Sequence, residues 1–87
     1  MHLNIKSKPR TIMASYVCLH WLVPKNEMRD FHHKIPKGEV WMREDIYDNL
    51  VTFGSTKRHE ETEIGLMLQG MSYKSAHKLA EIADGFW

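Results

Sequence analysis

Eighty-seven residues make one domain, and a chain this short buries only about 60 to 65% of its unfolded surface, so an ion or a partner subunit would strengthen a marginal core. An apolar fraction of 43% and a charged fraction of 26% exclude a disordered tail as the whole chain, and a net charge of +1 argues against general nucleic-acid affinity. With Cys18 the single cysteine, an internal disulfide and a four-cysteine zinc site are excluded, and a reducing, cytoplasmic setting is expected. No apolar run approaches the length of a membrane span, and Met1 to Arg10 lacks the apolar centre of a secretory signal. Residues 1–10 read as a basic, partly mobile arm ahead of a single small α+β domain over residues 11–87.

Thr11 to Val23 is rich in β-branched and aromatic residues, with Ile12, Tyr16, Val17, Trp21 and Val23, and Pro24 closes it. A strand is the expectation, although Ile12, Tyr16, Leu19 and Val23 also stand at helical spacing. His20, inside this segment, reads as a packed or edge residue. Asn26 can cap a short helix through Glu27, Met28, Phe31 and Lys34, and Ile35-Pro36-Lys37-Gly38 then reads as a turn. His32 and His33 fall at the end of that helix, about 100° apart, so they do not share an ion and read as cations near a helix C-terminus. Glu39 to Ile46 alternates, with Val40, Met42 and Glu44 on one side and Trp41, Arg43 and Asp45 on the other. It is expected as a half-exposed second strand, paired with Thr11 to Val23 in either direction.

Asp48 is placed to cap a long helix from Asn49 to about Gln69, ended by Gly70, and Ser72 to cap a final helix, Tyr73 to Asp84, stopped by Gly85. The expected result is a two- or three-stranded sheet against an antiparallel helix pair. Phe86 and Trp87 are apolar and either fold back on the core or form a homodimer contact.

The long helix carries His59-Glu60-x-x-Glu63. Residues four apart stand one turn above each other, so the imidazole of His59 and the carboxylate of Glu63 can converge on one ion. Glu60 falls within the apolar stripe of Phe53, Ile64, Met67 and Met71, where a carboxylate is costly without a partner. Either the stripe stops short and the first turns are solvated, as Lys57 suggests, or Glu60 marks a polar site in which a carboxyl with a raised pKa acts as a base. His77 is the natural third ligand, because Tyr73, Ala76, Ala80 and Ala83 share its face and small alanines let two helices approach. Glu81, one turn on, is a candidate orienting group. The blander alternatives are a solvated helix face for His59 and Glu63 and a packed histidine for His77.

The segment Glu39 to Ile46, the helix bearing His59, Glu60 and Glu63, and the helix bearing His77 resemble the catalytic half of zincin-like metallopeptidases. In the gluzincin branch the motif is His-Glu-x-x-His, with a glutamate on the next helix; here the second histidine and that glutamate look exchanged, as Glu63 and His77. The resemblance implies one zinc ion per chain held by His59, Glu63 and His77, with Glu60 as catalytic base and a peptide as substrate. It fits a zinc-dependent peptidase or a degenerate relative that keeps the ion for stability. A competing class is a helix-turn-helix DNA-binding protein over residues 63–84, offering Tyr73, Lys74, Ser75 and Lys78 to the groove and Lys6, Lys8 and Arg10 as an arm. Nucleic acid ranks below metal because Glu60, Glu61, Glu63, Glu81 and Asp84 repel phosphates. A dimerising adaptor without catalysis is the third reading.

Overall fold

The computed structural model describes residues 2–84, which fold as an α+β chain with a three-stranded sheet and four α-helices. The helix stop expected at Gly85 and the contacts expected of Phe86 and Trp87 lie outside these residues.

The central strand is β3, Glu39–Arg43, with β1, Asn4–Lys8, parallel on one side and β2, Cys18–His20, antiparallel on the other. The register Cys18↔Met42, Leu19↔Trp41 and His20↔Val40, combined with the two-residue period of a strand, sorts the side chains. Cys18, His20, Val40 and Met42 share one face, and Leu19 and Trp41 share the other. Val40 and Met42 are fully buried and Trp41 is only 9% exposed, so β3 is not the half-exposed strand that its alternation suggests. It is paired on both edges and covered on both faces, a position in which both residue sets turn inward. It also ends early, at Arg43, where Glu44–Tyr47 form the short helix α2.

The segment read as a basic arm is β1. Five backbone pairings with β3 hold it, and these make few demands on side-chain type. Its lysines have partners on the sheet: Lys6 Nζ lies 3.2 Å from Glu39 Oε2, and Lys8 Nζ stands 4.3 Å above the ring of Trp41. After Pro9, Arg10–Met13 form one turn of helix, α1, and Ala14 reverses the chain at a φ of 55°. The strand expected over Thr11 to Val23 therefore contracts to the three residues of β2.

The helix expected from Asn26 is a single 3-10 turn, Lys25–Glu27, after which the chain runs without regular structure to β3. Met28, Phe31 and Ile35 are buried all the same, in an apolar cluster with Met13, Leu19, Val23 and Trp41. His32 and His33 lie exposed on this loop, and the His33 ring meets those of Phe31 and Trp41. The turn before β3 spans residues 36–39, one place later than expected, with Glu39 N–H donating to the Pro36 carbonyl at 3.0 Å. Gly38, third in that turn, has the positive φ of 86° that its type demands.

Asn49, one residue beyond Asp48, caps the long helix α3, Leu50–Leu68, by accepting from the N–H groups of Val51 and Thr52. Gly70 ends it at a φ of 103°, and Gly70 N–H and Met71 N–H donate back to the Met67 and Leu66 carbonyls. Ser72 Oγ accepts from Ser75 N–H at the start of α4, Tyr73–Asp84, as its sequence position predicts. Ala76 and Ala80 are fully buried. No helix among the described residues is long and apolar enough to cross a membrane.

Candidate metal centre

The helix-facing side of the sheet meets α3 through polar groups. Cys18 and His20 stand two apart on β2, hence on one face, while Glu60 and Glu63 stand three apart on α3, hence on neighbouring lines of that helix. The two pairs oppose each other. His20 Nε2 lies 2.7 Å from Glu63 Oε1, and Cys18 hydrogen-bonds Glu60. On the other side of Glu63, its Oε2 lies 3.2 Å from His59 Nε2 and 2.6 Å from His77 Nδ1, and those two nitrogens are 3.4 Å apart.

Exposures of 1% for His59, 4% for Glu60 and 2% for Glu63 are incompatible with the solvated helix face considered above. The first turn of α3 is exposed at Leu50 and Val51, but its middle is covered because β2 lies over it and α4 beside it, a coverage that periodicity within one helix does not encode. His77 is half-buried. A cavity of about 360 Å³ opens over the group, lined in part by Cys18, Glu60, Glu63, Tyr73 and His77.

Electrostatics differ sharply between the two glutamates. Burial raises the Glu63 carboxyl, but hydrogen bonds from His20, His59 and His77 outweigh it and hold the group down to about 2. Burial pushes Glu60 well above the usual carboxylate range, and the charge of Glu63 adds to this, against a smaller opposing pull from Cys18. The two neighbouring carboxyls are thus pushed in opposite directions. Glu60 Oε2 has no hydrogen-bond partner among the described residues. The Cys18 thiol is also pushed up, by burial and then by Glu60, so it is not a reactive thiolate.

His77 is oriented from two sides. Its Nε2 lies 2.8 Å from Glu81 Oε1, the partner its spacing suggests, and its ring stacks on Tyr73 with centroids 5.3 Å apart. Once Nε2–H donates to Glu81, the Nδ1 lone pair faces a carboxylate oxygen at 2.6 Å, an arrangement that needs positive charge between them. A second ring proton or a metal ion satisfies it. His59 Nε2, Glu63 Oε2 and His77 Nδ1 offer two imidazoles and one carboxylate, with ligand atoms all within 4.8 Å of one another. The donor set and its convergence fit a divalent cation.

All four residues expected at the site are therefore brought together, together with Glu81. His20, expected as a packed or edge residue, and Cys18, to which the sequence assigns no place in a site, join them; the Cys18-x-His20 alternation, which puts both on one strand face, is the signal for the pair. No protein-family model, curated protein or solved structure matches the chain.

Proposed function

We propose that the chain is a small zincin-like metal-binding protein, holding one zinc ion through His59, Glu63 and His77, and that Glu60 is positioned for hydrolysis of a peptide. The observation that supports it most is the approach of His77 Nδ1 to Glu63 Oε2 at 2.6 Å, with His59 Nε2 3.4 Å from the same nitrogen. Zinc held there supplies a Lewis acid that acidifies a water and a dication that favours the carboxylate form of Glu60.

The chain's own residues divide the remaining work. Glu81 and Tyr73 fix the His77 ring, so that Nδ1 and not Nε2 turns inward. Glu60 lines the cavity, and its Oε2 has no hydrogen-bond partner among the described residues, which leaves that oxygen able to take up a proton. One residue from His59, it points about 100° around the helix and stays out of that ligand's direction. The cavity admits a substrate segment beside Glu60, Glu63 and His77.

The test is elemental analysis of protein purified without a histidine tag. One zinc per chain is expected, and His77→Ala is expected to lose the ion and melt at a lower temperature. Full zinc content in His77→Ala, or none in the wild-type protein after reconstitution, refutes the assignment.

A further inference from the structure

A second trio, His20, Glu60 and Glu63, also brings ligand atoms within 4.8 Å of one another, and it shares Glu63 with the first. On distance alone the chain is a two-metal protein with a bridging carboxylate. Hydrogen bonding separates the two trios. Leu22 N–H donates to His20 Nδ1 at 3.2 Å, so Nδ1 is an acceptor and carries no proton. The single proton of the ring is then on Nε2, directed at Glu63 Oε1 2.7 Å away. A ring nitrogen that carries a proton has no lone pair to give a cation. Glu60 Oε2 lies 3.7 Å from the same nitrogen, beyond hydrogen-bond reach, and does not compete for that proton.

We infer that His20 is a positioning residue and not a ligand: its Nε2–H occupies one oxygen of Glu63, so that the carboxylate presents only the other to His59 and His77 and the chain binds one cation. The inference rests on the metal reading above and goes beyond it in giving His20 a role and in fixing the way Glu63 binds. His20 suits the task because it is fully buried, paired through β2 to Val40, and packed edge-on against Trp21 with ring centroids 6.0 Å apart. The donor cannot swing away. A carboxylate held at one oxygen resists turning to chelate with both, which would fill a position on the ion that water or substrate requires.

The experiment compares wild type, His20→Phe and His20→Gln. Zinc affinity is measured by competition with a chromophoric chelator, and cobalt(II) is substituted to read coordination from its visible absorption. Wild type is expected to take one zinc. His20→Phe, which removes the donor, is expected to bind 10- to 100-fold more weakly, the usual range for lost outer partners of a ligand. Its cobalt spectrum should weaken as Glu63 becomes bidentate and the coordination number rises. His20→Gln, whose amide N–H can reach Oε1, should recover most of both, which a general packing defect would not allow.

Long-range nitrogen–proton correlation spectra of the wild-type protein supply a readout that does not depend on any variant folding. The His20 ring should show its proton on Nε2 both with and without zinc. An Nε2 deprotonated on zinc loading, or a His20→Phe protein with unchanged affinity and spectrum, overturns the inference while leaving the metal reading intact; two zinc ions per chain overturn the inference and the single-ion stoichiometry, while His59, Glu63 and His77 stay ligands. A wild-type protein that binds no zinc overturns both.

Discussion

The two faces of the sheet differ in chemistry: one is closed by apolar side chains alone, the other by a polar cluster set among the buried Val40, Met42 and Ile64. On one, Met13, Leu19, Val23, Met28, Phe31, Ile35 and Trp41 close beneath a loop with little regular structure. On the other, His20, His59, Glu60 and Glu63 are buried to a similar degree between regular elements. An apolar cluster gains with each area of surface removed from water, so it tolerates an irregular backbone. A buried polar cluster gains only when every member finds its partner, so it requires elements that fix direction as well as proximity. Order in the backbone is thus concentrated where the side chains are polar.

The sharpest way to break that contrast is Glu63→Ala. It strips His20, His59 and His77 of their common acceptor, and losing one member of a buried charged group typically costs about 3–5 kcal/mol. Chemical denaturation should show a loss of that order together with loss of zinc; a nearly unchanged unfolding midpoint would mean that the polar face contributes little. Phe31→Ala attacks the other face, at an expected cost of about 3–4 kcal/mol from lost transfer energy and the cavity left behind. Zinc affinity of the folded fraction should not change, and a large change would show that the faces are coupled.

Acid should discriminate between them as well. Glu63 ionises at about 2 in the folded chain and near 4.3 when unfolded, so its contribution is present above the unfolded value and disappears as the pH falls through the folded one. Metal-free wild type should lose on the order of 3 kcal/mol between about pH 5 and pH 2. The slope should persist in Phe31→Ala and flatten in Glu63→Gln.

The smallest effect has the opposite sign. Because burial raises the Glu60 carboxyl in the folded chain, the unfolded chain releases its proton first as the pH rises, which costs stability above the ordinary glutamate range. Glu60→Gln should therefore stabilise the metal-free protein by about 1 kcal/mol at neutral pH, with the gain vanishing near pH 4. Zinc should stay bound, and any hydrolysis should fall by about 10² or more. Loss of zinc from this variant would make Glu60 a ligand.

What the sequence discloses follows the same division. His59 and Glu63 are legible because helical spacing is a local property, and His77 because Ala76 and Ala80 announce a close helix contact. Their burial is not, since it is imposed by β2 from across the fold. His20 looks like a lone histidine in an apolar segment until its register with Val40 is known. The fold class is legible from the two long helices and the alternation of β3. The strand β1 is not, for Asn4-Ile5-Lys6-Ser7-Lys8 is held by backbone pairing and by lysines whose partners, Glu39 and Trp41, are remote in the chain. The loop from Lys25 to Gly38 places its apolar residues where a helix would, and composition alone does not distinguish the two.

The parallel pairing of β1 with β3 has a consequence for the order of events during synthesis. β1 is made before its partner strand, so it must remain unpaired while Ala14, β2 and the whole apolar loop are produced. An apolar strand kept waiting in this way is a hazard, open to pairing with a neighbouring nascent chain. β1 carries a single large apolar residue between polar and cationic ones, a composition that resists such pairing. The lysines that make this segment look like a loose tail are what let it wait without harm for the strand that will hold it.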